Sequence, residues 1–234
     1  MVSLGYVLWC IVYQVENHIL LLSDTADQAA SLLSYVKHEL ETNVDLRADF
    51  PQACAVPPVH ARPARWRKGD IITGNGVKVT ALGVDSKVRG RRHNQHRPGL
   101  IIVDDAENDE SVRSAEQRQR LAEWFERAVL KAGTPQTNTI VTGTILHYAG
   151  LLAGLTDAEN SPGWTGRVYR AVESFSERSD LWDRWESIYA SREEYHQDRT
   201  GPEAALAFFD DHREAMLEGT RVLWPQREDY LSLM

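Results

Sequence analysis

The chain alternates between short unbroken apolar runs and stretches in which apolar residues recur at helical spacing. Ile19-Leu20-Leu21-Leu22 and Leu100-Ile101-Ile102-Val103 are apolar throughout. Runs of this kind fit strands covered on both faces, as in parallel sheets. Ala29, Leu32, Leu33, Val36 and Leu40 predict a helix, capped by Asp24 or Thr25 and stopped at Asn43. Leu121, Trp124, Phe125 and Ala128 predict another, with Ser114 and Gln117 as a capping-box pair ahead and Gly133 behind. Residues 3–13 predict a buried helix that feeds the first apolar strand. Residues 44–68 carry several prolines and no sustained period, which predicts an irregular connection. Residues 71–80 predict a hairpin around Asn75-Gly76, and Thr139-Ile140-Val141-Thr142-Gly143-Thr144 predicts a further buried strand with small polar residues at its end.

Alternating elements of this sort predict an α/β fold with a mostly parallel sheet and a hairpin inserted before the 100–104 strand. The pattern changes past Leu155. The turn cluster Asn160-Ser161-Pro162-Gly163 is a candidate boundary, dividing a core at 1–160 from a mainly helical part at 161–234. In the second part 168–172 predicts a strand. One helix is centred on Leu181, Trp182, Trp185, Ile188 and Tyr189, and another is opened by Pro202 and closed by Gly219. Their aromatic residues are expected to pack these helices onto the first domain.

Composition narrows the function classes. With 234 residues, 42% hydrophobic content and seven Trp, the chain can hold one folded domain with an appendage. A net charge of −8 argues against a globally basic nucleic-acid coat and leaves room for a local basic face. Cys10 and Cys54 are far apart and lack CxxC spacing, so no zinc site is expected and a reducing compartment is. The apolar amino-terminal stretch has no basic flank or small-residue cleavage site. Gln14, Glu16, Asn17 and His18 interrupt it before the roughly 18 residues of a membrane span.

Candidate chemistry begins where Leu100–Val103 runs into Asp104 and Asp105. Ligands of open α/β sheets collect at the carboxyl ends of such strands, and paired carboxylates there need a partner. In a nucleoside triphosphatase of the Walker-B kind, Asp104 orients Mg²⁺ and Asp105 polarises the attacking water, with Glu107 as second candidate. In a nuclease, the cluster would grip two Mg²⁺ ions roughly 4 Å apart and would need further acids. In a plain solvated turn the acids favour the next helix's first turn, which describes Asp109 and Glu110. Upstream, Lys87, Arg89, Arg91, Arg92 and Arg97, with His93 and His96, could meet phosphates of DNA or ATP, or balance the acids. The two histidines have no third ligand placed to complete a metal site. Thr142-Gly143-Thr144 puts hydroxyls at a strand end, where they could sense a γ-phosphate. Trp66 among Arg62, Arg65, Arg67 and Lys68 could stack on single strands or simply anchor a loop.

In order and spacing these segments resemble the ATPase domain of the large terminase subunits of tailed bacteriophages. The likeness rests on Ile-Leu-Leu-Leu-Ser-Asp-Thr at 19–25, Gly-Asn-Gly-Val-Lys-Val-Thr-Ala-Leu-Gly at 74–83 and Val-Arg-Gly at 88–90. It continues through Arg-Pro-Gly-Leu-Ile-Ile-Val-Asp-Asp-Ala-Glu-Asn at 97–108, Val-Thr-Gly-Thr at 141–144 and Val-Leu-Trp-Pro-Gln-Arg-Glu-Asp-Tyr at 222–230. The resemblance implies a P-loop NTPase (ASCE) sheet and a motor that drives double-stranded viral DNA into a prohead in the bacterial cytoplasm. ATP and Mg²⁺ would be its cofactors, and the small terminase subunit and the portal protein its partners. It implies that Asp104 is the Walker-B magnesium residue and that Asp105 stands in the catalytic-acid position. Thr142, Gly143 and Thr144 would form the coupling motif, and Arg89-Gly90 matches a recurrent pair. Two departures stand beside it. No GxxxxGK[ST] phosphate loop occurs in the 234 residues, so the chain is expected to begin just after its own loop and the sheet to lack the strand that leads into it. No nuclease domain follows the ATPase part either, so 161–234 is expected to lead toward one.

Overall fold

β1, His18–Ser23, is buried at every position and is the middle strand of a five-stranded sheet. The structure, a computed structural model, describes every residue except Met1, Val59, Asp85 and residues 61–64 and 196–198. Two compact units are present, Met1–Gly166 and Arg167–Met234. The turn cluster at 160–163 thus lies inside the first unit.

The sheet order is β2-β3-β1-β4-β5, with β2 Asp70–Ile72, β3 Lys78–Gly83, β4 Leu100–Asp104 and β5 Asn138–Thr142. β1 is parallel to both β3 and β4, β4 is parallel to β5, and only β2 is antiparallel, to β3. The chain therefore goes from β1 to one side, returns across it, and continues on the other side. Helices consequently cover both faces. On one face lie α1, Val7–Val12, which a π-helical turn over Val2–Tyr6 precedes, and α2, Ala26–Thr42. Successive side chains of a strand point to opposite faces. Ile19, Leu21, Leu100 and Ile102 accordingly share a cluster with Leu33, Val36 and Leu40 of α2. Leu20, Leu22, Ile101 and Val103 pack on the other face with Leu121, Trp124, Phe125 and Val129.

Capping explains where these helices begin. Thr25 accepts the Gln28 N–H while the Gln28 side chain takes that of Thr25, a complete capping box. Asn43 ends α2 and also caps α3, Val44–Asp49, a helix within the stretch expected to be irregular. α3 buries none of its residues, so no apolar period announced it. Asn108 caps a short α4, Asp109–Arg113, and Ser114 then accepts the Gln117 N–H to start α5, Ala115–Trp124. A π-helical turn over Phe125–Val129 extends α5. The predicted hairpin closes through a five-residue loop, Thr73 to Val77, in which the Thr73 N–H donates to the Val77 carbonyl at 2.9 Å. β3 then continues as a full member of the parallel sheet. β5 corrects the expectation of a buried strand: its residues are half-exposed because it forms the edge of the sheet.

α6, Leu151–Thr156, follows β5 in the first unit. In the second unit, α7, Ser179–Tyr189, and α8, Pro202–Met216, pack through Trp182, Ile188, Phe208, Phe209 and Met216, and Tyr230 of α9, Tyr230–Leu233, joins them. The Trp182 indole N–H donates to the Met216 carbonyl at 2.9 Å. These aromatic residues form a hydrophobic core within the second unit. The strand expected at 168–172 starts later, as β6, Val172–Ser174, and pairs with β7, Arg221–Val222, in a separate two-stranded sheet. Among the described residues no helix is long and apolar enough to cross a membrane. Cys10 and Cys54 are both buried and free.

Because β1 is covered on both faces, Leu20→Ala and Leu21→Ala should each destabilise the first unit by about 2–5 kcal/mol in urea titration. A cost below about 1 kcal/mol for either one would contradict the two-sided core.

Candidate active site at the carboxyl end of the sheet

Departure and return on opposite sides of β1 create a crevice between the carboxyl ends of β1 and β4, the place where open α/β sheets bind ligands. Asp24, Asp104 and Asp105 lie at that crevice. Asp105 has φ 46°, a left-handed conformation that Asp tolerates better than most residues. Its backbone is held from two sides. The Asp105 N–H donates to the Thr142 carbonyl at 3.0 Å, and the Asp105 carbonyl accepts the Asp24 N–H at 3.2 Å. The turn therefore sends consecutive carboxylates off the end of the strand in different directions.

Asp104 is half-buried and both of its oxygens are engaged. Ser3 Oγ donates to Oδ2 at 2.6 Å and Thr142 Oγ1 donates to Oδ1 at 2.6 Å. Ser3 is itself buried, in the π-helical turn ahead of α1, so the start of the first helix is aimed at this carboxylate. The two hydroxyls thus meet the carboxylate from segments on either side of it in the sequence. Asp105 is more exposed, and its carboxyl is raised above the usual carboxylate range, first by desolvation and then by the adjacent Asp104 charge. A hydrogen bond from the Thr144 backbone opposes that shift. A cavity of about 380 Å³ opens beside the pair, lined by Ser23, Asp27, Gln28, Ser31 and Leu32 together with both aspartates.

The structure brings Asp104, Asp105, Thr142, Gly143 and Thr144 together and gives the other candidates different surroundings. Glu107 is buried and accepts the Leu151 N–H at 2.7 Å and the Leu152 N–H at 3.2 Å. Its carboxylate caps α6, and Gly150 makes the approach possible, since a Cβ there would strike Glu107 Oε1. Asp109 and Glu110 stand in the first turn of α4. Arg89 donates to the Arg127 carbonyl and Gly90 turns the chain at φ 79°, which gives the Arg-Gly pair a tethering role. Arg91 Nε donates to the Lys87 carbonyl at 3.0 Å, while Arg92 is exposed at the other end of the sheet. His93 and His96 exchange backbone hydrogen bonds, both 2.9 Å, and the His93 ring reaches the Gly76 carbonyl. Trp66 is buried, donates to Glu41 at 2.7 Å and lies under Lys37, so it anchors its loop to α2; Arg62 lies outside the described residues.

Ser3 is the site residue that sequence reasoning missed. Its only signal is a hydroxyl in the first turn of a predicted helix, and it stands in no Gly-Lys-Ser context. Among the described residues no group of three or more His, Cys, Asp or Glu could hold a metal ion. Mg²⁺ in phosphate-transfer sites is usually bound by one or two carboxylates plus phosphates and water, a demand that Asp104 with the Ser3 hydroxyl beside it fits.

Asp105 should be a cost to the fold at neutral pH. A carboxyl whose folded pKa is raised favours the protonated native state, so stability falls as pH rises from near 3.8 through the raised value. Asp105→Asn, which keeps the left-handed turn, is expected to raise Tm at pH 7 and to leave it unchanged near pH 3, below both values. An equal gain at both pH values, or a loss at pH 7, would contradict the electrostatic origin.

No family model matches the chain, and no curated protein matches its sequence.

Proposed function

We propose that the first unit is the ATP-hydrolysing core of a viral DNA-packaging motor of the large-terminase kind, of the P-loop NTPase type. The observation that carries this reading is the Asp104 carboxylate, held between the Ser3 hydroxyl and Thr142 with Asp105 beside it. A serine or threonine hydroxyl and a strand-end aspartate are the pair that holds Mg²⁺ in P-loop NTPases. In this reading Asp104 and Ser3 hold the metal, which when bound supplies charge neutralisation at the phosphate oxygens. Asp105, with its raised carboxyl, takes the proton of the attacking water. Thr142 touches Asp104 through its hydroxyl and Asp105 through its backbone, so a change at the acids reaches the segment at 142–144 and, through Glu107, α6. β5 is the edge strand, and its outer side can take one more strand, which the reading assigns to the one leading into a phosphate loop. Double-stranded DNA, the small terminase subunit and the portal protein are the partners this function brings with it.

The nuclease alternative needs additional acids at Asp104 and Asp105. Within the 104–110 cluster Glu107 is committed to the α6 cap and Asp109 and Glu110 to the first turn of α4, and Asp27 in the cavity lining pairs with Lys68 at 2.7 Å, which favours the NTPase reading. The 234 residues contain no GxxxxGK[ST], so the polypeptide by itself should hydrolyse ATP no faster than background.

A test joins a strand and a GxxxxGK[ST] loop to the amino end of the chain and measures Mg²⁺-dependent phosphate release. The extended protein is expected to hydrolyse ATP, with a loss of about 10²–10⁴-fold in Asp105→Asn and a comparable loss in Asp104→Ala. Hydrolysis that survives Asp104→Ala would contradict the site. Hydrolysis by the 234-residue chain that Asp104→Ala abolishes would contradict the need for a phosphate loop.

A further inference from the structure

β1 opens with a histidine in a place where a charge is costly. His18 is 1% exposed, and its Nδ1 is buried without a hydrogen-bond partner. Its Nε2 stands 3.5 Å from Thr80 Oγ1, whose own proton goes to Asp70 Oδ1 at 2.7 Å. The Thr80 oxygen is thereby left to accept, which places the imidazole proton on Nε2 and a bare lone pair on Nδ1. The connection from β3 to β4 supplies cover. The half-buried His93 ring packs edge-on against His18, with 6.4 Å between centroids. His93 Nε2 donates to the Gly76 carbonyl at 2.9 Å, and the backbones of His93 and His96 bond each other.

We propose that the His18–His93 contact is an acid-sensitive latch, which holds the 91–96 segment against the amino end of β1 at neutral pH and releases it when His18 takes a proton. The latch is independent of the carboxylate chemistry at the other end of the sheet.

The surroundings are built against a charge on His18. Lys78 faces it from β3, Arg91 and His93 from the connection, and Asp70 from β2. Asp70 is already engaged by the Thr80 hydroxyl and by Lys78 Nζ at 3.4 Å. The β4 side brings Gly99 and Leu100, which carry no charge, and Glu16 turns its carboxylate to Gly99. Burial first, and then the positive charge of Lys78, hold the His18 imidazole at about 4. A proton on Nδ1 would add a buried donor with no acceptor in reach, so protonation requires that the ring meet water. The strands around His18 are joined by a sheet ladder, in which it pairs with Lys78. The 91–96 segment is tied to them by a ring contact and one side-chain bond, and its own His93–His96 bridge stands outside the sheet. This segment therefore yields before the strands do.

The closed state disfavours the proton, and the open state accepts it near 6.5. Closure is thus fully favoured above pH 6.5 and is lost progressively as pH falls toward about 4. Between pH 7 and pH 5 opening should become about 20-fold more favourable.

Hydrogen exchange of the 234-residue chain, divided by the intrinsic rate at each pH, measures that opening. Protection of the His93 and His96 amides is expected to fall about 20-fold from pH 7 to pH 5, while residues 101–103 of β4 keep theirs. His18→Gln should abolish the pH dependence. His93→Gln, which retains a donor for the Gly76 carbonyl, should keep it, because the titrating ring is His18. Constant protection of His93 and His96 in the wild-type chain would overturn the latch. So would an equal loss in β4, which is global acid unfolding, or a pH dependence that survives His18→Gln or vanishes in His93→Gln.

Discussion

The first unit is organised around the need to satisfy one carboxylate. Asp104 follows four fully buried apolar residues, so its charge stands at the mouth of a dry core. An ionised carboxylate in that position is costly unless donors reach it. The donors come from far along the chain, Ser3 101 residues before it and Thr142 38 residues after it. Satisfying Asp104 therefore fixes where the first helix begins and where β5 ends. Charge-assisted bonds of this kind are worth more than neutral ones, and losing one partner leaves a partly buried group without its bond.

A sheet covered on both faces confines polar chemistry to its two ends. At the carboxyl end the aspartates, Thr142 and Thr144 form one locality, and Glu107 links it to α6 through two backbone N–H groups. At the amino end the same strands begin with Gly99 and Asn138, and the loops around them carry the arginines. The acids and bases that stand close in the sequence are thus held apart by the length of β4. Mutual neutralisation, the plainest reading of a basic stretch followed by an acidic one, does not describe Arg92 or Arg97.

Local pattern made some of this legible and geometry decided the rest. β1 and β4 were visible because no polar residue interrupts them, and Asp104 and Asp105 because they terminate the second run. Thr25 and Gln28 declared the start of α2 through side chains that bond within four residues. The cap that Glu107 gives α6 was not legible because its partners lie 44 and 45 residues away, beyond the reach of any local pattern. β5 has the composition of a buried strand, and its place at the edge depends on sheet order, which composition does not carry. The aromatic residues of the second unit announced burial without saying against what. They meet one another, as Trp182 does with Phe209 and Tyr230.

The most direct measurement of whether Asp104 joins these segments is a pair of double-mutant cycles in urea unfolding. One combines Asp104→Ala with Ser3→Ala, the other Asp104→Ala with Thr142→Val. Hydrogen bonds to a charged group predict a coupling of about 1.5–3 kcal/mol in each cycle. Additivity within about 0.5 kcal/mol in both would contradict a carboxylate that holds the first helix and β5 to the end of β4.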